Sequence, residues 1–297
     1  MTRVLVTGGT GELGSEVVNK LIKAGYQVRV MSRHNRQPGQ WPEAEWAQAD
    51  LAIGTGLSEA VAGVDAIIHT ATNAGVTLED ATLSTFMSKA LLRHDGSVDV
   101  QGTGLLLEYA RNAGVGHFIY ISIVGVELIP FAYYRHKLQA ETLIQDSAVP
   151  WSIARATQFH SLINGMIEQA AKGPVMMLPT DFQFQPVDPR NVAEYLCACI
   201  SQGPAGRLPN FGGPEVHTLG DLARTWQKIL GKKKLIIRVP LPGKTAKTLR
   251  QGGLTSPNEK HGTITWEEWL RQTSTRSKAK TTDTSASKHE ATFDEAH

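Results

Sequence analysis

The stretch that decides the fold is Arg3-Val4-Leu5-Val6-Thr7-Gly8-Gly9-Thr10-Gly11-Glu12-Leu13-Gly14. Residues 3–6 predict a short buried strand, and residues 16–24 carry apolar side chains at a helical repeat. Between them, three glycines occur at G-x-x-G-x-x-G spacing. Because glycine allows positive φ and close backbone approach, a pyrophosphate can lie against the N-terminus of the following helix. Strand, glycine turn and helix together predict a dinucleotide-binding turn.

The residues of this turn that we expect to bind the dinucleotide are Thr7, Gly8, Gly9, Thr10, Gly11, Glu12, Leu13 and Gly14. The plain alternative is a glycine-rich connection without a ligand. The next predicted strand, residues 27–31, lies where a dinucleotide-binding unit needs it and argues against that alternative.

The end of the second strand indicates which dinucleotide is bound. An acidic residue about 20 positions beyond the glycines usually binds the ribose 2′-OH of NAD, but Ser32 and Arg33 occupy that place. A guanidinium can form paired hydrogen bonds to a 2′-phosphate, which a carboxylate would repel. We therefore expect Arg33 to select NADP over NAD, with a solvated surface arginine as the alternative.

Further candidates follow the other predicted strands, because ligands of an open parallel sheet bind outside the strands' carboxyl ends. After residues 45–48, the Asp50 carboxylate can accept from the adenine amino group or cap a helix, and Leu51 follows it. The remaining cofactor candidates are Thr70, Ala71, Thr72 and Thr157. The substrate candidates are Gln158, Phe159 and His160, although Phe159 fits a packed core residue equally well. Residues 83–91 predict a short amphipathic helix, either over this site or packed in the core.

A tyrosine and a lysine four residues apart supply the candidate chemistry. Tyr133 and Lys137 lie on one face of a helix predicted to run to about residue 145, just after Ser122 at the end of strand 117–121. The ammonium stabilises a phenolate and lowers the tyrosine pKa, so Tyr133 can exchange a proton with a substrate. Lys137 can also hold the cofactor's nicotinamide ribose, while Ser122 hydrogen-bonds the reacting oxygen. The catalytic prediction is therefore Ser122, Tyr133 and Lys137.

Composition excludes several functional classes. The chain has 297 residues, 41% of them hydrophobic, and a net charge of +2, so no electrostatic footprint for nucleic acid or a membrane surface stands out. No apolar run is long enough to cross a bilayer, and the N-terminus reads as a core strand instead of a signal peptide. Cys197 and Cys199 are two apart on a predicted helix, so neither a disulfide nor a metal pair is expected. We expect a cytoplasmic monomer or homodimer that acts on a small molecule.

The chain resembles the short-chain dehydrogenase/reductase superfamily, specifically its atypical, NmrA-like, NAD(P)H-binding branch. The matching segments are residues 7–14, Ser122, residues 133–141, 155–159 and 187–193. The resemblance covers about residues 3–270 and implies a nicotinamide cofactor. The active superfamily usually has an asparagine in the fourth helix, and here Asp99 and Gln101 flank that place. Many NmrA-like proteins lack the catalytic tyrosine and act as redox sensors, whereas this chain retains both Tyr133 and Lys137.

The predicted fold class is α/β, a Rossmann-type doubly wound parallel sheet with a small C-terminal substrate-binding lobe. Residues 1–158 would form the Rossmann core, and residues 159–270 the lobe, interleaved with core elements at about 186–202. Residues 243–262 are predicted as a linker or lid, and 263–270 as a final short helix. Residues 271–297 are rich in Thr, Ser, Lys and Ala and are predicted to be a disordered tail.

The predicted function is an NADP-preferring oxidoreductase that moves a hydride to or from a small carbonyl, alcohol or activated double bond. A non-catalytic dinucleotide sensor is the first alternative. An epimerase or dehydratase of the nucleotide-sugar type, using its cofactor transiently, is the second.

Overall fold

A parallel β-sheet organises the computed structural model, which describes residues 1–73 and 95–275. The strand order is β3-β2-β1-β4-β5-β6-β9, and every neighbouring pair is parallel. Its strands are β1 (Arg3–Thr7), β2 (Gln27–Ser32), β3 (Glu45–Gln48), β4 (Ala66–His69), β5 (His117–Ile123), β6 (Trp151–Ala156) and β9 (Gly206–Arg207). The order 3-2-1-4-5-6 is that of a doubly wound dinucleotide-binding fold, so the predicted fold class is confirmed.

Helices cover both faces of this sheet because its strands are apolar on both sides. On β1, Val4 and Val6 pack toward α1 (Glu12–Lys23) and α6 (Pro189–Gln202). Leu5, between them, points to the opposite face. That face is covered by α2 (Leu57–Val61), α3 (Thr103–Asn112), which follows a π-helical turn at Ser97–Gly102, and α4 (Ala132–Gln145).

A third apolar cluster lies in the C-terminal part of the chain. Its elements are α5 (His160–Ala171), α7 (Leu219–Leu230), α8 (Lys244–Arg250), and two small sheets that pair β7 (Met176–Leu178) with β11 (Ile236–Arg238) and β8 (Gln183–Phe184) with β10 (His217–Thr218). Trp226 and Trp266 are buried at its centre, and the indole N–H of Trp266 donates to the Leu222 carbonyl at 3.1 Å. This cluster packs against Tyr133 and Tyr134 of α4, so the lobe borders the predicted site.

The structure differs from the sequence predictions in this lobe. The segment 243–262 contains helix α8, and the final helix, α9, spans 266–275. The prediction of disorder is therefore wrong for residues 271–275, because buried Trp266 and Leu270 anchor α9 and carry its polar last turn with it. The predicted helix at 83–91 and the tail residues 276–297 lie outside the described residues.

A buried ion network fixes α4 against the sheet. The Arg155 guanidinium on β6 donates to both carboxylate oxygens of Glu141 on α4, at 2.8 and 2.6 Å. Glu127 and Arg207 complete the network at its solvent side. Glu141 lies one helical turn beyond Lys137, so this network sets the position of the helix that carries the candidate catalytic pair.

Candidate active site

A cavity of about 600 Å³ runs along the carboxyl ends of strands β1 to β6. This is the place where open α/β sheets bind ligands, and the volume is in the usual range for cofactor sites. Most of the predicted residues line it: Gly8, Thr10, Gly11, Glu12, Leu13, Gly14, Arg33, Asp50, Leu51, Thr70, Ala71, Thr72, Ser122, Tyr133, Lys137, Thr157, Gln158 and Phe159. The fold thus gathers residues from seven separate stretches of the chain.

The glycine turn leaves its backbone bare toward the cavity. Gly8 has a φ of +66°, and a Cβ there would lie 2.7 Å from the Ala71 Cα. A Cβ on Gly14 would lie 2.1 Å from the Gly8 carbonyl oxygen, so only glycine fits where α1 meets the turn. At Gly11, by contrast, a Cβ would meet only the Gly8 oxygen, at 3.2 Å, and would otherwise enter open space. This cradle fits a pyrophosphate held by the first turn of α1.

Two predicted cofactor residues of this turn do not line the cavity. Thr7 is buried, and its hydroxyl lies 2.6 Å from the His69 Nδ1, while the His69 Nε2 lies 3.0 Å from the Thr103 hydroxyl. Burial lowers the pKa of His69 to about 3, so this histidine is a neutral structural residue. Gly9 packs α1 against the sheet, since a Cβ there would lie 2.7 Å from Val30. Both residues support the turn on the side that faces away from the cavity.

The end predicted to hold the adenosine is lined by Ser32, Arg33, His34 and Asp50. Arg33 is exposed at the rim, whereas the guanidinium of nearby Arg36 is held by the carbonyls of Gln40 and Trp41. Among the described residues that line the cavity, Arg33 is the arginine, and its side chain is exposed at this rim. Asp50 is not a helix N-cap: its carboxylate accepts from the Ala52 N–H at 2.9 Å in a local turn, and α2 begins only at Leu57, after Gly56.

The candidate catalytic lysine is buried in a polar network. The Lys137 Nζ lies 3.2 Å from an Asp99 carboxylate oxygen, 3.4 Å from the Ile121 carbonyl oxygen, and 4.8 and 5.9 Å from the ring centres of Tyr120 and Tyr133. Burial alone would lower the pKa of Lys137, but its neighbours, the Tyr120 and Tyr133 hydroxyls and the Asp99 carboxylate, raise it. These neighbours therefore favour the charged ammonium form of Lys137 beside the Tyr133 ring.

Sequence reasoning did not identify Asp99 as the partner of Lys137. Asp99 lies in the π-helical turn before α3, is almost fully buried, and accepts from the Thr72 hydroxyl at 2.8 Å and from the Asn73 N–H at 3.2 Å. It thereby ties the end of β4 to Lys137 on helix α4. The sequence offered one signal, which is that Asp99 flanks the place where the active superfamily usually has an asparagine. The π-helical turn that directs Asp99 inward has no sequence signature.

Ser122, the residue before the last of β5, lies beside this network. Its side chain is buried, it lines the cavity, and its Oγ has no hydrogen-bond partner within the described residues. A buried, unsatisfied hydroxyl costs free energy unless a ligand completes it. Ser122 therefore fits a donor or acceptor for an oxygen of a bound molecule.

Two of the three predicted substrate residues line the cavity, and the third, His160, does not. Phe159 lines the cavity, and so does Gln158, whose side-chain amide donates to the Leu254 carbonyl at 2.9 Å. The prediction for His160 is wrong in its geometry, because that imidazole stacks on Trp266 and Trp269 and its Nε2 lies 3.1 Å from the Ile264 carbonyl oxygen. The cause is the start of α5 at His160, which turns its side chain into the lobe.

The cofactor candidate Thr157 also has a protein partner. Its backbone N–H donates to the Phe211 carbonyl, so this N–H is not available to a cofactor.

Because His160 is buried, we expect the free energy of unfolding to depend on pH. Burial lowers its pKa from 6.5 to about 4, so its contribution to stability is present above pH 6.5 and is lost as the pH falls toward 4. We expect His160→Phe, which keeps the aromatic stacking, to reduce the slope of unfolding free energy against pH in this window by up to about 1.4 kcal/mol per pH unit. Urea unfolding at several pH values measures this slope. An unchanged slope would show that folding does not lower the pKa of His160.

Comparison with known proteins also indicates a dinucleotide-binding protein. A protein family described as NAD(P)H-binding matches residues 8–202. The photosystem II assembly factor Ycf39 of Trieres chinensis is 27% identical over 248 residues, which are 80% of this chain and 72% of that protein. The chloroplastic divinyl chlorophyllide a 8-vinyl-reductase of Oryza sativa is 26% identical over 250 residues, 81% of this chain but only 62% of the reductase.

The fold also matches solved structures. The NADPH-dependent quinone oxidoreductase QOR2 of Escherichia coli, complexed with NADPH, superposes with a TM-score of 0.70 at 18% identity and covers 91% of this chain and 99% of its own. At this identity the match shows a common fold.

Sheet order, glycine turn and cavity together define a dinucleotide-binding Rossmann protein with a tyrosine–lysine pair at its candidate active site. The chain belongs to the NAD(P)H-binding family, and it shares its fold with solved dinucleotide-binding proteins. The family's description includes both NAD and NADP, so the choice between them stays a prediction. No helix in residues 1–73 and 95–275 is long and apolar enough to span a bilayer. The predicted cytoplasmic location and oligomeric state stay predictions as well.

Proposed function

We propose that this protein is an NADP-preferring oxidoreductase that transfers a hydride to or from a small carbonyl, alcohol or activated double bond. One observation carries the proposal. Ser122, Tyr133 and a buried, charged Lys137 line the same cavity as the glycine cradle and Arg33. An acid–base tyrosine, a cation beside it and a free hydroxyl are the groups that carbonyl reduction requires.

In the proposed reaction, a bound reduced nicotinamide supplies the hydride. Tyr133 donates a proton to the acceptor oxygen, and the ammonium of Lys137 stabilises the phenolate that forms. The Ser122 hydroxyl orients the same oxygen. The acceptor therefore gains a hydride and a proton, and the phenolate regains its proton from solvent. Asp99 holds Lys137 in place through the 3.2 Å ion pair.

The direct test is to follow NADPH oxidation by purified protein over a panel of quinones, enones, ketones and aldehydes, with binding of NADPH and NADH measured in parallel. We expect turnover with at least one acceptor and tighter binding of NADPH. Tight NADPH binding without turnover over the whole panel would instead favour the dinucleotide sensor.

The sensor alternative has one structural observation in its favour. Asp99 neutralises Lys137, which weakens the electrostatic pull of the ammonium on the Tyr133 hydroxyl. A relative is named as an assembly factor, which fits a protein whose bound dinucleotide governs an interaction. Asp99→Asn separates the two functions. If the protein is an oxidoreductase, this variant should change the pH profile of turnover. If the protein is a sensor, the variant can change only the affinity for NADPH.

Arg33→Ala is expected to remove most of the preference for NADPH over NADH. The loss should be about 1–3 kcal/mol of NADPH binding free energy, the usual contribution of a charge-assisted hydrogen bond, while NADH binding stays constant. Isothermal titration calorimetry with both cofactors measures it. Arg111→Ala, an exposed arginine at the end of α3, is the matched control. Equal affinity of the wild-type protein for both cofactors would overturn the assignment.

A further inference from the structure

The two ends of the cavity differ in charge. Among its lining residues in the described part of the chain, the ionisable groups at the cofactor end are Glu12, Arg33, His34 and Asp50. The other end has Lys137 as its charged group, and that ammonium is already paired with Asp99. A substrate therefore meets no unpaired cation from the described residues beyond the glycine turn.

The wall of the second end is apolar. Helix α5 presents Leu162, Gly165 and Met166 to the cavity, which is the i, i+3, i+4 spacing of a single helical face. Ile123 and Phe159 line the same end. Leu162 is 36% exposed and therefore lies at the rim, whereas Met166 is buried deeper.

Two polar side chains at this end form hydrogen bonds to backbone carbonyls. The Gln158 amide donates to the Leu254 carbonyl, and the Thr157 hydroxyl donates to the Gln185 carbonyl at 2.5 Å. Ser122, Tyr133 and Tyr134 also line the cavity, and the Ser122 hydroxyl has no hydrogen-bond partner among the described residues. Hydroxyls can hydrogen-bond an uncharged oxygen of a substrate, but they supply no charge to offset that of an anion.

Such a surface selects against charged substrates. A phosphate, diphosphate or carboxylate needs arginine or lysine partners, and burying it without them carries a large desolvation penalty. We infer that the substrate of the proposed reaction is an uncharged, largely apolar carbonyl compound or activated alkene, and not a nucleotide sugar or an acid. This inference rests on the proposed function and makes the epimerase alternative the less suitable one for this cavity.

The test uses three probes and the intact protein with bound NADP⁺. The probes are naphthoquinone, naphthoquinone sulfonated on its benzo ring, and UDP-glucose, and binding is measured by calorimetry beside NADPH oxidation. We expect naphthoquinone to bind about tenfold or more tightly than either charged probe. Equal or tighter binding of the sulfonate or of UDP-glucose would overturn the inference, and so would a failure of all three to bind.

The binding measurement separates this inference from the proposed function. If naphthoquinone binds preferentially but no probe is reduced, the charge selection stands and the oxidoreductase proposal fails. If the sulfonate is reduced as efficiently as naphthoquinone, the oxidoreductase proposal stands and the substrate inference fails.

A pair of variants locates the selectivity at α5. Leu162→Arg places a cation at the rim of the apolar end, so we expect affinity for naphthoquinone to fall and affinity for the sulfonate to rise, each by several-fold, with NADPH affinity unchanged. Leu143→Arg is the matched control, because Leu143 is a helical leucine of similar exposure, 38%, that does not line the cavity. Identical probe affinities in Leu162→Arg and Leu143→Arg, with both variants folded, would show that this helix does not set substrate charge.

Discussion

Tyr133→Phe is expected to lower turnover by about 10²–10⁴-fold, equivalent to roughly 3–5 kcal/mol of activation free energy, while leaving NADPH affinity close to that of the wild type. The substitution keeps the ring beside Lys137 and removes only the hydroxyl, which is the proposed proton donor. Initial rates and calorimetric binding of NADPH to the same preparation measure the two quantities. A loss in rate without a loss in cofactor binding is the signature of a catalytic group.

Tyr134→Phe is the matched control, because its tyrosine is adjacent in sequence and also borders the cavity. Tyr134 is buried in the lobe cluster, and burial raises the pKa of its hydroxyl, which makes it a poor acid–base group near neutral pH. We expect Tyr134→Phe to retain most of the activity. Full turnover in Tyr133→Phe, or a loss confined to Tyr134→Phe, would refute the assignment.

Gly11→Val is expected to abolish measurable dinucleotide binding without unfolding the protein. Gly11 has a φ of −78°, which a valine can adopt, and its side of the turn is open toward the cavity. The branched side chain would occupy the space proposed for the pyrophosphate. Gly11 is the N-cap of α1 and makes no side-chain cap, so the loss of cap preference costs about 1 kcal/mol, and the 3.2 Å contact of a Cβ with the Gly8 oxygen requires a small local shift.

Gly14→Val provides the contrast. Its Cβ would lie 2.1 Å from the Gly8 carbonyl oxygen, so the turn itself must shift and a loss of thermal stability is expected. Thermal unfolding and NADPH titration of both variants distinguish a blocked site from a damaged turn. Normal NADPH affinity in a folded Gly11→Val protein would remove the phosphate-binding interpretation of this turn.

Local patterns in the chain were sufficient to predict the Rossmann core. The strands predicted to end near Thr7, Ser32, Gln48, His69 and Ser122 all occur in the structure, and the apolar residues of those at Thr7, His69 and Ser122 form short continuous runs. Alternating burial and glycine spacing are local properties, so they can be read directly from neighbouring residues. In a parallel sheet these strand ends necessarily meet at one edge, which is why most cofactor candidates line a single cavity.

The lobe depended on contacts between distant residues. The strands of Met176–Leu178 and Ile236–Arg238 pair across some 60 positions, and each is only three residues long, so no local pattern indicates that they pair with each other. The fate of His160 was likewise set by Trp266 and Trp269, more than 100 positions away in the chain. Its nearest neighbours in sequence carried no signal of that stacking.

The chemistry of the site divides in the same way. The i, i+4 spacing of Tyr133 and Lys137 and the place of Ser122 at a strand end are encoded locally, and so is the absence of an acidic residue at Arg33. Only the tertiary structure brings Asp99 to Lys137, leaves the Ser122 hydroxyl without a hydrogen-bond partner among residues 1–73 and 95–275, and lines the far end with the apolar face of α5. Helix and strand identity follow from short-range pattern, whereas the charge state and polarity of a cavity depend on which distant side chains pack around it.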